Sequence, residues 1–303
     1  MPGSHPFLTI FTPAYNRAHT LPRLHESLLA QTQGGFEWLV VDDGSIDGTG
    51  ELVHGWAEDS PFPIRYIYQE NSGKHVAHNL GAHEAQGRLF MCVDSDDWLE
   101  PDAVATISRD ATALAVGAGL LYPKLFVTQT ALEASAWFPS GTVTVELADM
   151  RMRYGLVIET AIVFDVAVLR RHPFPVIDGE RYMPEGSAYY DFRAPEVFYV
   201  HPDCFYRCEY QGEGLTRNIW ANWYHNPIGT KLALRRRYEA ACRYRTLRGL
   251  RERASAVVGI ESLNMGLGID AEDGTPTDGK RIMRFLCLPL ARFVSARRFG
   301  GAL

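Results

Sequence analysis

Four times in the first hundred residues a strand-length apolar run is followed by a polar loop and then a helical pattern, and few folds accommodate that rhythm. Phe7-Leu8-Thr9-Ile10-Phe11 reads as the first strand, with Thr12 to Arg17 as the loop at its carboxyl end. Leu21, Leu24 and Leu28 then fall at helical spacing behind Thr20, a residue type that caps helices. Phe36 to Val41 forms a second strand, ending in Asp42-Asp43-Gly44-Ser45-Ile46-Asp47, and another helix runs to about Ala57. Ile64 to Tyr68 is a third, and the turn Asn71-Ser72-Gly73-Lys74 opens a helix through Ala77, Leu80 and Ala85. The fourth, Arg88 to Val93, ends in Asp94-Ser95-Asp96-Asp97. This order builds a doubly wound α/β sheet, whose ligands sit outside the carboxyl ends of the strands.

The acids after the fourth strand are where chemistry is expected. Carboxylates this close repel one another and rise in pKa unless a cation neutralises them. Mg²⁺ and Mn²⁺ suit such oxygen ligands and leave positions open for phosphates. A plainer reading also fits, because Glu100-Pro101-Asp102 looks like a helix start and the acids could be a polar turn ahead of it.

From about Ala113 the pattern changes. Leu120 to Val127, Thr142 to Val145, Val157 to Phe164 and Val197 to His201 are short runs broken by Pro and Gly, expected to complete a mixed sheet and build an acceptor-side wall. Helices follow at roughly Lys231 to Leu247 and Arg253 to Leu267, and a polar break from Asp270 to Gly279 precedes a tail helix. Residues 1–230 carry a net charge of −14 and residues 231–303 a net of +8, so the two parts face different partners. Five cysteines without paired spacing read as packed thiols, not as a disulfide framework or zinc site. No leader-like or membrane-spanning run is evident, and the expectation is a soluble, cytoplasmic protein.

Read together, Thr12-Pro13-Ala14-Tyr15-Asn16, Val41-Asp42-Asp43-Gly44-Ser45-x-Asp47, Asn71-x-Gly73-x4-His78-Asn79-x-Gly81 and Val93-Asp94-Ser95-Asp96-Asp97 resemble the nucleotide-sugar half of the inverting family 2 glycosyltransferases of GT-A fold. The likeness extends more loosely through Pro173-Phe174-Pro175, Met183-Pro184-Glu185-Gly186 and Glu213 to Asn218. It implies a GT-A, Rossmann-like mixed sheet over residues 1–230, with a nucleotide-sugar half at about 1–112, an acceptor half at about 113–230, and a basic helical extension over 231–303. The implied activity is metal-dependent, inverting transfer of a sugar from a nucleotide diphosphate donor, expected to be a UDP-sugar. The acceptor would be a hydroxyl of a glycan, a lipid-linked molecule or a small molecule.

By the same resemblance, Asp96 is the main ligand of Mn²⁺ or Mg²⁺ in a DxD motif, with Asp94 touching ribose or metal and Ser95 between them on the donor. Asp42 or Asp43 accepts from the uracil ring NH, while Thr12, Ala14 and Tyr15 line the base and Asn16 completes that motif. Lys74 opens its helix where its charge would serve phosphate oxygens, though a solvated lysine is the plainer reading. Asn79 ties its helix to the site, and His78, where relatives have arginine, reads as packed. Inversion needs a general base, because an alcohol is a poor nucleophile until its proton is being removed. Glu185 matches the position of that acid, with Asp191 and then Glu180 as alternatives. Gly212 to Asn218 resembles a loop that closes over the substrates, and His225 either joins the metal on closure or is structural.

Other classes fit less well. A dinucleotide-dependent oxidoreductase needs G-x-G-x-x-G after the first strand, where Thr12-Pro13-Ala14-Tyr15-Asn16 stands instead. A nucleotidyltransferase should carry a Gly-rich basic loop there. A non-catalytic sugar-nucleotide or glycan binder has no need of Asp94, Asp96 and Glu185 together. No nucleic-acid partner is expected. The tail from 280 to 298 interleaves basic and apolar residues without an acid, and two fates stay open: peripheral contact with the inner face of a membrane, or docking of its apolar face on the catalytic domain, with the arginines solvated or on that domain's acidic surface.

Overall fold

The computed structural model describes residues 5–128, 137–209, 218–269 and 281–299. In chain order the strands and helices are β1 (Leu8–Ala14), α1 (Leu21–Leu29), β2 (Phe36–Asp42), α2 (Thr49–Asp59), β3 (Ile64–Tyr68), α3 (Lys74–Glu84), β4 (Leu89–Cys92), β5 (Trp98–Leu99), α4 (Ala103–Ala111), β6 (Gly119–Phe126) and β7 (Thr144–Val145). There follow α5 (Leu147–Asp149), which runs into a π-helical turn at Met150–Tyr154, then β8 (Thr160–Asp165), α6 (Val166–Leu169), α7 (Gly186–Tyr189), β9 (Phe198–Val200) and β10 (Tyr206–Cys208). The chain ends in α8 (Ile219–His225), α9 (Pro227–Cys242), α10 (Leu247–Gly266) and α11 (Arg281–Arg298).

The strands form one mixed sheet in the order β3-β2-β1-β4-β8-β6-β10-β5. The first four are parallel, and β8 lies antiparallel to both β4 and β6. β1 and β2 are buried along their whole length, which is why they read as apolar runs and not as alternation. Leu21, Leu24 and Leu28 of α1 pack into the same core. Two expectations change locally. Thr20 makes no side-chain cap, because its hydroxyl donates to the Arg17 carbonyl instead. The strands β5 and β10, too short to carry a periodic signal, extend the far edge of the sheet as an antiparallel pair.

The chain divides into two compact units, each built from more than one stretch of sequence. The first holds residues 1–146, 156–173 and 193–211; the second holds 147–155, 174–192 and 212–303. The segment carrying Glu180, Glu185 and Asp191 therefore groups with the C-terminal helices, because α7 packs on α9. Within this second unit Glu252 receives both Arg151 and Arg237, and Tyr244 donates to Asp149 at 2.8 Å. Of the cysteines, Cys208 and Cys287 are buried but Cys242 is exposed.

Candidate donor and metal site

Loops at the carboxyl ends of β1, β2 and β4 are laced to one another before any ligand is considered. Asn16 sits in the left-handed region at φ 54°, its NH donating to Ser45 Oγ at 2.7 Å and its Oδ1 accepting from the Ile46 NH at 2.9 Å. Asp47 accepts from the Ala18 NH and from Thr49, tying α2 to the same loop. Asparagine is among the few non-glycine residues that tolerate this backbone. Gly44 has φ 88°, and a Cβ there would meet the Asn71 nitrogen at 2.9 Å, so the Asp-Gly turn fits only without a side chain. Gly81 lets α3 lie on β1, since a Cβ would come within 2.4 Å of the Phe11 ring.

Asp42 and Asp43 are both buried and both already hydrogen-bonded. Asp42 accepts from the Ser45 NH at 2.8 Å and the Tyr66 hydroxyl at 2.6 Å. Asp43 accepts from Gln69 Nε2 at 2.6 Å and from the NH groups of Ser72 and Gly73 at 2.8 Å each. Neither carboxylate depends on a base for satisfaction, although an ionised carboxylate has room for about four donors. Thr12 is fully buried, and its hydroxyl accepts from Trp38 Nε1 at 3.0 Å. Ala14 is likewise buried, its carbonyl accepting from the Asp43 NH. Tyr15 is 49% exposed and is not a core aromatic.

The acidic cluster is neutralised by lysines. Lys74 Nζ lies 2.7 Å from Asp94 Oδ1, and Lys124 Nζ lies 3.8 Å from Asp94 Oδ2 and 3.7 Å from Asp97 Oδ2. Lys124 is missing from the sequence reading because nothing in a strand's apolar pattern marks one lysine as inward-facing. In the structure its side chain is only 9% exposed, and its ammonium sits 4.1 Å above the Tyr206 ring. Burial alone would raise the pKa of Asp94, but the two ammonium groups hold it below the usual range. Burial raises Asp97, and Asp94 adds to the rise, against the pull of Lys124 and of a 2.7 Å hydrogen bond from the Tyr206 hydroxyl. Arg17 Nε reaches Ser95 Oγ at 3.2 Å, and Arg23 donates to the Asp96 carbonyl. Replacing Lys124 by methionine should lower stability by about 3 kcal/mol in urea melts, because Asp97 loses its cation while still buried. A loss below about 1 kcal/mol would show that Lys124 does not support the cluster.

Asp96 stands apart, because no hydrogen bond or ion pair engages its carboxylate among the described residues, and it is partly exposed. A hard cation would find in it an oxygen ligand that the protein has not occupied. A second group, Asp110, His201 and Asp203, brings its ligand atoms within 4.8 Å of one another. Arg109 already bonds Asp110 at 2.8 Å and Asp203 at 3.3 Å, and the Tyr122 hydroxyl donates to Asp110 at 2.8 Å, so a cation is built in and no metal is assigned there.

His78 packs edge-on against the stacked Phe11 and Phe90 rings, with centroids 5.6 and 5.3 Å away. Burial, with Lys74 nearby, pushes its pKa down to about 3. The folded state thus requires the neutral ring; the stability it protects is complete above about pH 6.5 and drains away as pH falls toward 3. Between pH 7 and pH 4 the wild type should lose on the order of 2–3 kcal/mol relative to His78→Phe, read from paired urea melts. Parallel losses would remove this role. Asn79, one position on, lines a cavity of about 220 Å³ with Arg170, His172 and Pro173.

Three acids of the second unit were candidates for the base, and their surroundings differ. Glu180 is buried, with Oε1 and Oε2 each accepting at 2.7 Å from the Ile228 and Gly229 NH groups at the start of α9. Asp191 pairs with Arg236 at 2.6 Å. Glu185 is exposed, just ahead of α7. His225 ends α8, its ring edge-on to Tyr224. Of the loop expected from Gly212 to Asn218, residues 212–217 lie outside the described residues.

A mixed sheet that collects acidic loops at the carboxyl ends of its parallel strands, followed by C-terminal helices, defines a GT-A fold. Solved structures agree in fold. TarS 1–349 of S. aureus in complex with UDP-GlcNAc superposes with a TM-score of 0.59 at 15% identity, covering 96% of this chain and 91% of that one. Mannosyltransferase PcManGT from Pyrobaculum calidifontis, in complex with GDP-Man and Mn²⁺, gives 0.54 at 17% identity, covering 98% and 85%. Residues 9–124 match the family described as glycosyl transferase family 2. Glycosyltransferase GlyA of Streptococcus pneumoniae is 39% identical over 102 residues, which is 34% of this chain and 14% of that protein. A chondroitin synthase of Escherichia coli is 38% identical over 99 residues, 33% and 14% of the two chains. The putative glycosyltransferase EpsH of Bacillus subtilis is 34% identical over 107 residues, 35% and 30%. The matched stretch thus spans less than a third of these curated relatives.

Proposed function

We propose that this chain transfers a sugar, with inversion, from a nucleoside diphosphate sugar to a hydroxyl of a glycan, a lipid-linked molecule or a small molecule. The observation that carries the reading is the unequal treatment of the acids after β4: Asp94 is paired with Lys74 while Asp96 is left without a protein partner among the described residues. Asp96, with Asp94, would hold Mn²⁺ or Mg²⁺, which when bound supplies positive charge to the departing diphosphate. Lys74 and Lys124 keep Asp94 ionised, and Arg17 fixes Ser95 beside it. Tyr15 offers an exposed face for stacking on the base, and the Asp42-Asp43 loop offers acceptors for its ring NH.

Glu185, assigned by its motif, takes the proton of the acceptor hydroxyl as that oxygen bonds the anomeric carbon and the bond to the diphosphate oxygen breaks. Support for the donor class comes from the solved relatives that hold UDP-GlcNAc and GDP-Man. Donor hydrolysis and transfer, measured with Mn²⁺ and with excess chelator, test the reading; full activity in chelator removes the metal from it. Of the two bases UDP is the expected one, so UDP with Mn²⁺ should raise the melting temperature more than GDP does. Because Asp42 and Asp43 are already satisfied, the expected difference is a few degrees, from about one extra hydrogen bond. A larger shift with GDP would reverse the nucleotide assignment.

A further inference from the structure

α11 docks on the helices that precede it, α9 and α10, and carries a second apolar face turned away from them. Its inner face is docked: Cys287 and Ala291 are buried, as is Phe299 just beyond the helix end, Met283 and Cys287 join a core with Tyr238, Ala256 and Val257, and Arg284 pairs with the buried Glu261 at 2.7 Å. A helix that only had to dock would be apolar on that face and polar on the other. Here the other face is apolar as well. Phe285 is 72% exposed, Leu286 71%, Leu290 55% and Phe293 60%, at the i, i+1, i+5, i+8 spacing of one continuous stripe.

Charge says what covers this stripe. Arg292 and Arg297 are exposed beside it, Arg298 stacks on Trp220 at 4.9 Å from its centroid, and no Asp or Glu occurs from 280 to 303. Two copies of this face placed together would bring arginines against arginines. An anionic lipid surface offers instead apolar acyl chains for Phe285, Leu286 and Phe293 and headgroup phosphates for the arginines. No described helix is long and apolar enough to cross a membrane, so the contact would lie in the interface plane.

We infer that the outward face of α11 is a membrane-interface surface that takes anionic lipid, with Phe285, Leu286, Leu290 and Phe293 entering the acyl boundary and Arg292 and Arg297 on the headgroups. The inference stands independently of the transfer reaction. The test is sedimentation of the full chain with vesicles of phosphatidylcholine alone or with phosphatidylglycerol, alongside light scattering for oligomeric state. Wild type should partition onto the anionic vesicles, less so in high salt. Arg292→Glu with Arg297→Glu should weaken that by on the order of 25-fold or more, from roughly 1 kcal/mol per basic residue near the surface. Phe285→Ser with Phe293→Ser should weaken it by at least about tenfold, both substitutions being at exposed positions that leave the melting temperature unchanged. Absence of wild-type binding to anionic vesicles, binding unaffected by these substitutions, or a dimer that the serine variant dissociates would each overturn the inference, the last in favour of a second copy on this face.

Discussion

Replacing Asp96 by asparagine is expected to lower sugar transfer by on the order of 10³-fold, the effect of removing a group that organises charge at the leaving diphosphate. The substitution keeps size and removes only an anionic ligand. Because no hydrogen bond or ion pair engages this carboxylate among the described residues, the melting temperature without ligand should not fall. Mn²⁺-dependent stabilisation by nucleotide should disappear together with turnover, which gives a reading apart from activity. Asp94→Asn is the useful contrast. It removes the partner of Lys74 and Lys124 and leaves two ammonium groups facing each other across a neutral amide, so it should cost stability as well as activity. If Asp96→Asn retains activity within tenfold of wild type at saturating Mn²⁺, Asp96 is not the metal ligand.

Glu185→Gln should reduce turnover by roughly 10²–10⁴-fold with little change in donor affinity, as expected when a proton acceptor is lost but binding is kept. The structure sharpens this comparison beyond what the sequence allowed. Glu180→Gln removes the charge that receives two NH groups at the start of α9, so its main effect should be on stability. Asp191→Asn weakens the pairing with Arg236. A reversed pattern, with Glu185→Gln active and Asp191→Asn inactive but fully folded, would move the base to Asp191.

The alternation of strand and helix over the first hundred residues was legible because β1, β2 and β4 lie inside the sheet. Continuous burial of both faces demands uninterrupted apolar runs, and acids can follow only where the chain leaves the sheet. The DxD acids and the Asp42-Asp43 turn stood out for the same reason. The partner of the Thr12 hydroxyl was not legible, because a threonine in a strand looks the same whether its hydroxyl meets a ligand or, as here, an indole NH from the neighbouring strand. Asp42 and Asp43 looked like acceptors awaiting a base because Tyr66, Gln69, Ser72 and Gly73, which serve them, arrive from β3 and the turn beyond it.

Local order along the chain therefore determined the sheet, its acidic edge and the resemblance to family 2 glycosyltransferases, since hydrophobic period and turn chemistry act between near neighbours. Only the tertiary structure decided which charges neutralise which. Lys124 lies on β6, 30 residues beyond Asp94, and becomes that acid's partner because antiparallel β8 sets β6 close to β4; Tyr206 arrives from β10 on the other side of β6. The same holds for the second unit, where the segment of Glu180, Glu185 and Asp191 joins helices some 40 to 60 residues further on. Electrostatic pairing acts through space at a few ångströms, and distance along the chain carries no record of it.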